Sequence, residues 1–89
     1  MFFEMVNFVK KLAGGTAHQL PRDFFEAIVA EPKVRRLWET ITPLARNEWI
    51  CWVISAKKDE TRERRIKVGL AKMRQGARRP CCWAGCPHR

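Results

Sequence analysis

The chain has 89 residues, of which 46% are hydrophobic and 30% are charged, and it contains four tryptophans. This composition is typical of a globular protein and excludes an intrinsically disordered one. A chain of this length forms one domain with a single core, and it has no apolar run approaching the roughly 18 residues that a membrane-spanning helix needs.

The net charge of the chain is +9, and most of it lies near the C-terminus. Residues 57–79 carry ten basic and three acidic side chains. This excess favours an acidic partner such as nucleic acid, an anionic membrane surface or an acidic protein. The same charge would also keep a small protein soluble, so composition alone does not choose among these roles.

The N-terminal residues 1–19 are predicted to form a short amphipathic helix, Met1–Leu12, followed by a linker that begins at Gly14-Gly15. We expect this helix to dock on the core, with contact to another chain or a membrane interface as alternatives. Its two lysines follow the apolar residues, which is the reverse of the order in a secretory signal. We therefore expect a cytoplasmic protein.

Prolines at positions 21, 32 and 43 divide the middle of the chain into helices of similar length, because proline is favoured in the first turn of a helix. In the second of these segments, apolar residues recur with helical spacing from Val34 to Ile41. Thr42 is a suitable N-cap for the third.

The third segment, Pro43–Ala56, is apolar around most of its circumference and includes Trp49 and Trp52. We predict that it is the central helix, contacted from at least two sides, with both tryptophans in the core. On this interpretation, Trp52→Ala would cost about 3–5 kcal/mol of stability. Only a narrow strip is expected to face water, and it consists of Asn47, Glu48 and Ser55.

A final helix is predicted from a cap at Asp59 or Thr61 to about Gln75, with Gly76 ending it. Its apolar line is thin, and Gly69 lies in its interior. Glycine there costs roughly 1 kcal/mol relative to alanine. We therefore expect a close backbone approach at this position, for example against a tryptophan.

These patterns predict an all-α fold, a small bundle of four to five helices around a central Trp-rich helix. The helical domain is expected to span residues 20–76 and an irregular tail residues 77–89. The tail holds four residues of metal-ligand type, Cys81, Cys82, Cys86 and His88. A structural zinc site normally joins two separated ligand pairs, so we expect ordinary free thiols here and no cofactor, with zinc or a redox role as alternatives.

The last helix carries the residues that we consider most able to bind a partner or an anion, namely Arg62, Arg64, Arg65 and Lys72. They could instead form structural pairs, either with Glu60 and Glu63 on the same helix or with Glu39 and Glu48 elsewhere. No interleaved exposed aromatics and no base-reading motif accompany the charge, which weakens the case for nucleic acid. No catalytic arrangement is recognisable, so we expect no enzyme.

Three stretches resemble a known family: L-P-R-D-F at Leu20–Phe24, W-I-C-W-V-I-S-A-K-K at Trp49–Lys58, and E-T-R-E-R-R-I at Glu60–Ile66. They are similar to the bacterial YdeI/OmpD-associated family, also called OmdA or bacteriocin-protection proteins, over about residues 20–80. The resemblance implies a small helical domain that often follows a separate β-rich domain. In this sequence, residues 1–19 stand in the place of that β-rich domain. It also implies a link to bacteriocin or antimicrobial-peptide resistance and to an outer-membrane porin, without a catalytic residue set.

We therefore expect a non-enzymatic helical interaction module of the bacteriocin-protection or envelope-stress class, with an acidic protein or another macromolecule as its partner. Direct sequestration of cationic peptides is disfavoured, because a +9 protein would repel them. The alternative is a nucleic-acid-binding domain that uses the basic last helix. The sequence does not indicate an oligomeric state.

Overall fold

A computed structural model of the chain describes residues 12–80, which fold into four α-helices. In chain order they are α1 (Arg22–Val29), α2 (Pro32–Thr40), α3 (Pro43–Ile54) and α4 (Asp59–Arg74). No strand occurs between residues 12 and 80. The all-α prediction is confirmed, while the expected helix before Leu12 and the Cys-rich segment after Pro80 lie outside the described residues.

The three prolines mark the helix starts that the sequence predicts. Pro21 is the residue before α1, and Pro32 and Pro43 occupy the first turns of α2 and α3. Thr42 caps α3, because its hydroxyl oxygen accepts a hydrogen bond from the Ala45 amide at 3.1 Å. Proline is suited to these positions because its missing N–H would have no partner in the first turn of a helix.

The ends of α4 agree only partly with the sequence-based prediction. The helix begins at Asp59 after Lys58, without a side-chain cap, so the expected cap at Asp59 or Thr61 is wrong. Its C-terminal end is the predicted one. Gly76 adopts a φ of 94° and donates to the Met73 carbonyl at 2.9 Å, and the Ala77 amide donates to the Lys72 carbonyl at 3.0 Å. This pair of bonds is a Schellman motif, in which glycine takes the left-handed conformation at little cost.

The core is formed by apolar side chains from all four helices and the short connections between them. Trp38, Trp49 and Phe24 are the largest of the fully buried side chains. Phe24 of α1 and Trp38 of α2 meet edge to face, with ring centroids 5.5 Å apart. Full burial of a side chain of this size stabilises a fold by about 1.5–3 kcal/mol or more, so these rings contribute strongly to joining α1 and α2.

Gly69 lets α4 approach the two tryptophans of α3. A Cβ atom at this position would lie 3.2 Å from the Trp52 ring and 3.4 Å from the Trp49 ring. The two rings pack edge to face at 5.7 Å. The expected close approach of the α4 backbone to a tryptophan is therefore present, and it explains a residue that is otherwise unfavourable inside a helix.

Helix α4 packs extensively against each of the three helices before it, whereas the main helical neighbour of α3 is α4 alone. The expectation that the Trp-rich helix α3 forms the centre of the bundle is therefore not confirmed by the helix packing. Irregular segments cover much of the rest of α3. They are residues 13–18 on one side and the turn after α4, which reaches Pro80, on another.

The predicted water-facing strip of α3 is wrong for two of its three residues. Asn47 is 0% exposed and Glu48 is 4% exposed, and Arg46 beside them is 9% exposed, whereas Ser55 is exposed as expected. At Asn47 and Arg46 the cover is the segment before α1, which lies across this side of α3. The Asn47 side-chain oxygen accepts hydrogen bonds from the amides of Ala17 at 3.0 Å and His18 at 2.8 Å.

The start of the irregular tail is packed onto the domain. Residues 77–80 are not helical, as predicted, but Ala77 contacts the core and Pro80 is buried. The Trp49 indole N–H donates to the Arg78 carbonyl oxygen at 3.0 Å. This bond supplies the partner that a buried indole requires and fixes the chain after α4 against α3.

Candidate interaction surface

Arg62, the first of the predicted partner-binding residues, is used inside the fold. Its Nε and Nη2 donate to the two carboxylate oxygens of Asp23 in α1, at 2.7 and 2.9 Å. These charge-assisted bonds lower the pKa of Asp23 below its ordinary value and raise that of Arg62. Such a bidentate pair fixes the start of α1 against α4. Asp23 was not among the acidic partners considered from the sequence.

Arg65 is also used within the fold, where it binds the C-terminal end of α3. Its Nη1 donates to the Trp52 carbonyl oxygen at 2.7 Å and to the Ser55 hydroxyl oxygen at 3.0 Å. The last carbonyls of a helix have no partner within the helix, and a cation also suits the negative end of the helix dipole. Arg65 therefore connects the end of α3 to α4.

Arg64 and Lys72 point away from these contacts. Arg64 is exposed and Lys72 is half-buried, and neither side chain makes a hydrogen bond or ion pair with another described residue. Lys67 is exposed in the same way and lies one helical turn from Arg64. We call Arg64, Lys67 and Lys72 the outer basic face of α4. The structure thus separates the four predicted residues into two that hold helices together and two whose side chains have no partner among residues 12–80.

The outer basic face also has an apolar element. Val68 is 39% exposed and is the large hydrophobic side chain most open to solvent in residues 12–80. Val68 lies four residues after Arg64 and four residues before Lys72, so the three side chains lie along one side of the helix. A valine flanked by two cations without intramolecular partners presents both apolar and charged groups to a partner.

Arg46 is a buried cation that sequence reasoning did not identify as important. Its guanidinium donates to the carbonyl oxygens of Ile41 at 2.7 Å, Trp38 at 3.3 Å and Gly14 at 3.0 Å. Two of these carbonyls belong to the end of α2, where a cation is favourable. Arg46 therefore joins α2, α3 and the segment before α1. Its position on the apolar helix α3 was the only sign of this role in the sequence.

The segment before α1 is held by further bonds. The Trp38 indole N–H donates to the Ala13 carbonyl oxygen at 2.8 Å. A Cβ atom at Gly15 would lie 2.3 Å from the Asn47 backbone, so only glycine fits there. The residues around Asn47 thus form a structural clamp between the segment before α1 and α3.

No metal centre is present among residues 12–80, since no three His, Cys, Asp or Glu side chains come close enough together there to hold an ion. The tail residues that could ligate zinc, Cys81, Cys82, Cys86 and His88, lie outside the described residues. None of the four helices is long and apolar enough to cross a membrane.

The chain was compared with models of protein families. The model of the OmdA family, described as bacteriocin-protection, YdeI or OmpD-associated, matches residues 17–76, which is about two thirds of the chain. The chain belongs to the OmdA family. No curated protein and no solved structure matches.

The OmdA match begins inside the segment that clamps α3 and ends at the glycine that terminates α4. It therefore contains all four helices, the Asp23–Arg62 pair and the outer basic face. The OmdA name associates the family with protection against bacteriocins and with the envelope. It assigns no role to an individual residue.

Proposed function

We propose that this OmdA domain is a non-enzymatic interaction module whose outer basic face binds an acidic surface of a partner protein. The observation that carries the proposal is the division among the arginines and lysines of α4. Arg62 and Arg65 are used to hold helices together, whereas Arg64, Lys67 and Lys72 have no intramolecular partner among residues 12–80. Cations that the fold does not use are available to an anionic partner.

An acidic protein is favoured over nucleic acid by the composition of this surface. Glu60 and Glu63 are exposed near the start of the same helix, where they would repel a phosphate backbone. Val68 offers an apolar contact, while no aromatic side chain among the described residues is exposed for stacking on bases. A protein partner could use the valine and the cations together.

The role of the partner follows from the family. The OmdA name connects these proteins with bacteriocin protection and the envelope, and we infer that the partner belongs to such a protective response. The protein itself would act by binding rather than by catalysis. A cytoplasmic location, expected from the sequence, remains a prediction.

Affinity capture from bacterial extract tests the proposal. The bait proteins are the wild type, the outer-face variant Arg64→Glu/Lys67→Glu/Lys72→Glu, and a control of equal net charge, Lys57→Glu/Lys58→Glu/Arg79→Glu. The three positions of the control are exposed. We expect an acidic protein to bind the wild type and the control and to be lost from the outer-face variant. If both variants retain it equally, the outer basic face is not the binding surface.

Titration with duplex and single-stranded oligonucleotides tests the alternative function. Nucleic-acid binding mediated by phosphate contacts weakens steeply as salt rises. We expect no more than weak binding at low salt. Tight binding with a steep salt dependence, abolished in the outer-face variant, would replace the protein partner with nucleic acid.

A further inference from the structure

A second surface, distinct from the outer basic face, lies between α2 and the C-terminal end of α4. It is a depression of about 310 Å³. We call it the α2–α4 groove. Its lining residues are Lys33, Arg36, Leu37, Thr40, Met73, Arg74 and Gly76.

The floor of the α2–α4 groove is apolar. Leu37 is half-buried and packs on the core, and Met73 is 1% exposed. The Schellman turn at Gly76 bounds one end, and a Cβ atom there would meet nothing within 4 Å, so the space above the turn is open. The carbonyls of Lys72 and Met73 already accept bonds from the amides of the turn. The floor therefore offers an apolar contact.

The rim of the groove is cationic. The side chains of Lys33 and Arg36 are exposed and make no hydrogen bond or ion pair with any other residue between 12 and 80. Arg74 is bound to Glu31, with the Nη2 to Oε2 distance at 3.2 Å, so its charge is already partnered. The two cations of α2 thus remain available beside the apolar floor.

We propose that the α2–α4 groove binds an acidic peptide segment in which an apolar side chain is flanked by carboxylates. The apolar side chain contacts Leu37 and Met73, and the carboxylates pair with Lys33 and Arg36. The volume suits one side chain the size of leucine or phenylalanine. The contact area is correspondingly small, so the affinity is on the order of tens of micromolar or weaker. This inference uses different residues from the proposed function and does not depend on it.

Fluorescence anisotropy with labelled synthetic peptides tests the inference. The first peptide is a run of glutamates interrupted by a central Leu-Phe pair. The second replaces that pair with Ser-Ser and keeps the charge, and the third replaces the glutamates with glutamines and keeps the apolar pair. We expect the first peptide to bind at least about tenfold more tightly than the other two, with the weaker binding of the second peptide located on the outer basic face. Equal binding of the first two would show a general charge attraction and overturn the proposal, as would no binding of the first.

Variants locate the peptide on the protein. Lys33→Gln/Arg36→Gln removes the free cations, and Thr40→Trp fills the groove from an exposed position of α2. Each should weaken binding of the first peptide at least about tenfold, while the control Lys57→Gln/Lys58→Gln leaves it unchanged. Circular dichroism confirms that each variant is folded.

The same titration separates this inference from the proposed function. If Arg64→Glu/Lys67→Glu/Lys72→Glu abolishes peptide binding and the groove variants do not, the peptide binds the outer basic face and the groove proposal is overturned. Displacement of the peptide by a duplex oligonucleotide at a lower concentration would overturn it as well. If the outer-face variant retains peptide binding and the groove variants lose it, the groove proposal is supported.

Discussion

Adjacent arginines of the E-T-R-E-R-R-I stretch should differ sharply when each is replaced by alanine. Arg65 donates to the Trp52 carbonyl and the Ser55 hydroxyl, whereas the Arg64 side chain is exposed and makes no hydrogen bond or ion pair with another described residue. A hydrogen bond from a charged donor contributes about 1.5–3 kcal/mol, and an exposed one contributes less. We take about 1.5 kcal/mol for the bond to the carbonyl and about 0.5 kcal/mol for the bond to the exposed hydroxyl, so Arg65→Ala should lower the free energy of unfolding by about 2 kcal/mol.

This loss is large for a small domain, whose total stability is of the order of 5–10 kcal/mol. It corresponds to a fall in melting temperature of about 8–16 °C. Arg64→Ala should stay within about 0.5 kcal/mol of the wild type. Arg65→Lys is a useful third variant, since it keeps the charge but not the planar guanidinium that reaches two oxygens.

Urea denaturation followed by circular dichroism measures these differences, because the helices unfold with the domain and the signal does not depend on the tryptophan next to Arg65. We expect the order wild type, then Arg64→Ala close to it, then Arg65→Lys, then Arg65→Ala. If the two alanine variants lose the same stability, the structural role given to Arg65 and the solvent-facing role given to Arg64 are both refuted.

Four further variants follow from the packing and the ion pairs. Gly69→Leu should destabilise the fold by about 1–3 kcal/mol in thermal melts, because a side chain there meets two tryptophan rings. Trp49→Ala should cost about 3–5 kcal/mol of stability, because Trp49 is fully buried. The same cost is expected for Trp52→Ala from the sequence, but Trp52 is only half-buried in the structure, so this variant should cost less. The advantage of the wild type over Asp23→Asn should be about 1 kcal/mol at neutral pH in urea titrations. Arg62 lowers the pKa of Asp23 from its ordinary value of 3.8, so the stability difference between wild type and Asp23→Asn is complete above pH 3.8 and disappears as the pH falls through the lowered pKa. A stability difference that persists at still lower pH would contradict the pairing.

The Gly69→Leu variant has a matched control. Lys67→Leu introduces the same side chain as Gly69→Leu at an exposed position of α4, and it should leave the melting temperature nearly unchanged. Loss of stability in both would show that leucine is unfavourable on this helix for a reason other than contact with the tryptophans.

The helix boundaries could be predicted from sequence because local chemistry sets them. Proline at a helix start and glycine at a helix end act through the backbone of their own segment. Gly69 could be predicted because a glycine inside an otherwise regular helix needs an unusual neighbour. These signals require no knowledge of which element lies beside which.

The buried strip at Asn47 and Glu48 could not be predicted in this way. Helical spacing places both residues on one side of α3, but it does not say what covers that side. The cover is an irregular segment without periodicity, joined to Asn47 by amides about 30 positions away in the chain. Polar residues were expected to face water, and the Asn47 side chain instead binds the backbone of the covering segment.

The same limit applies to the candidate site. Sequence spacing grouped Arg62, Arg64 and Arg65 by charge, and only the packing of α4 against α1 and α3 shows which of them have partners. The sequence therefore located the basic helix. The structure divided it into residues that hold the fold and residues that face solvent.

The central claim is that the outer basic face of α4 recognises an acidic polypeptide, and an NMR titration tests it residue by residue. Poly-glutamate, which lacks the apolar side chain expected in the α2–α4 groove, is added to isotopically labelled protein. We predict that the largest amide shift changes fall around Arg64, Lys67 and Lys72, and that they are absent in the outer-face variant. Changes confined to other residues, or none at all, would contradict the account.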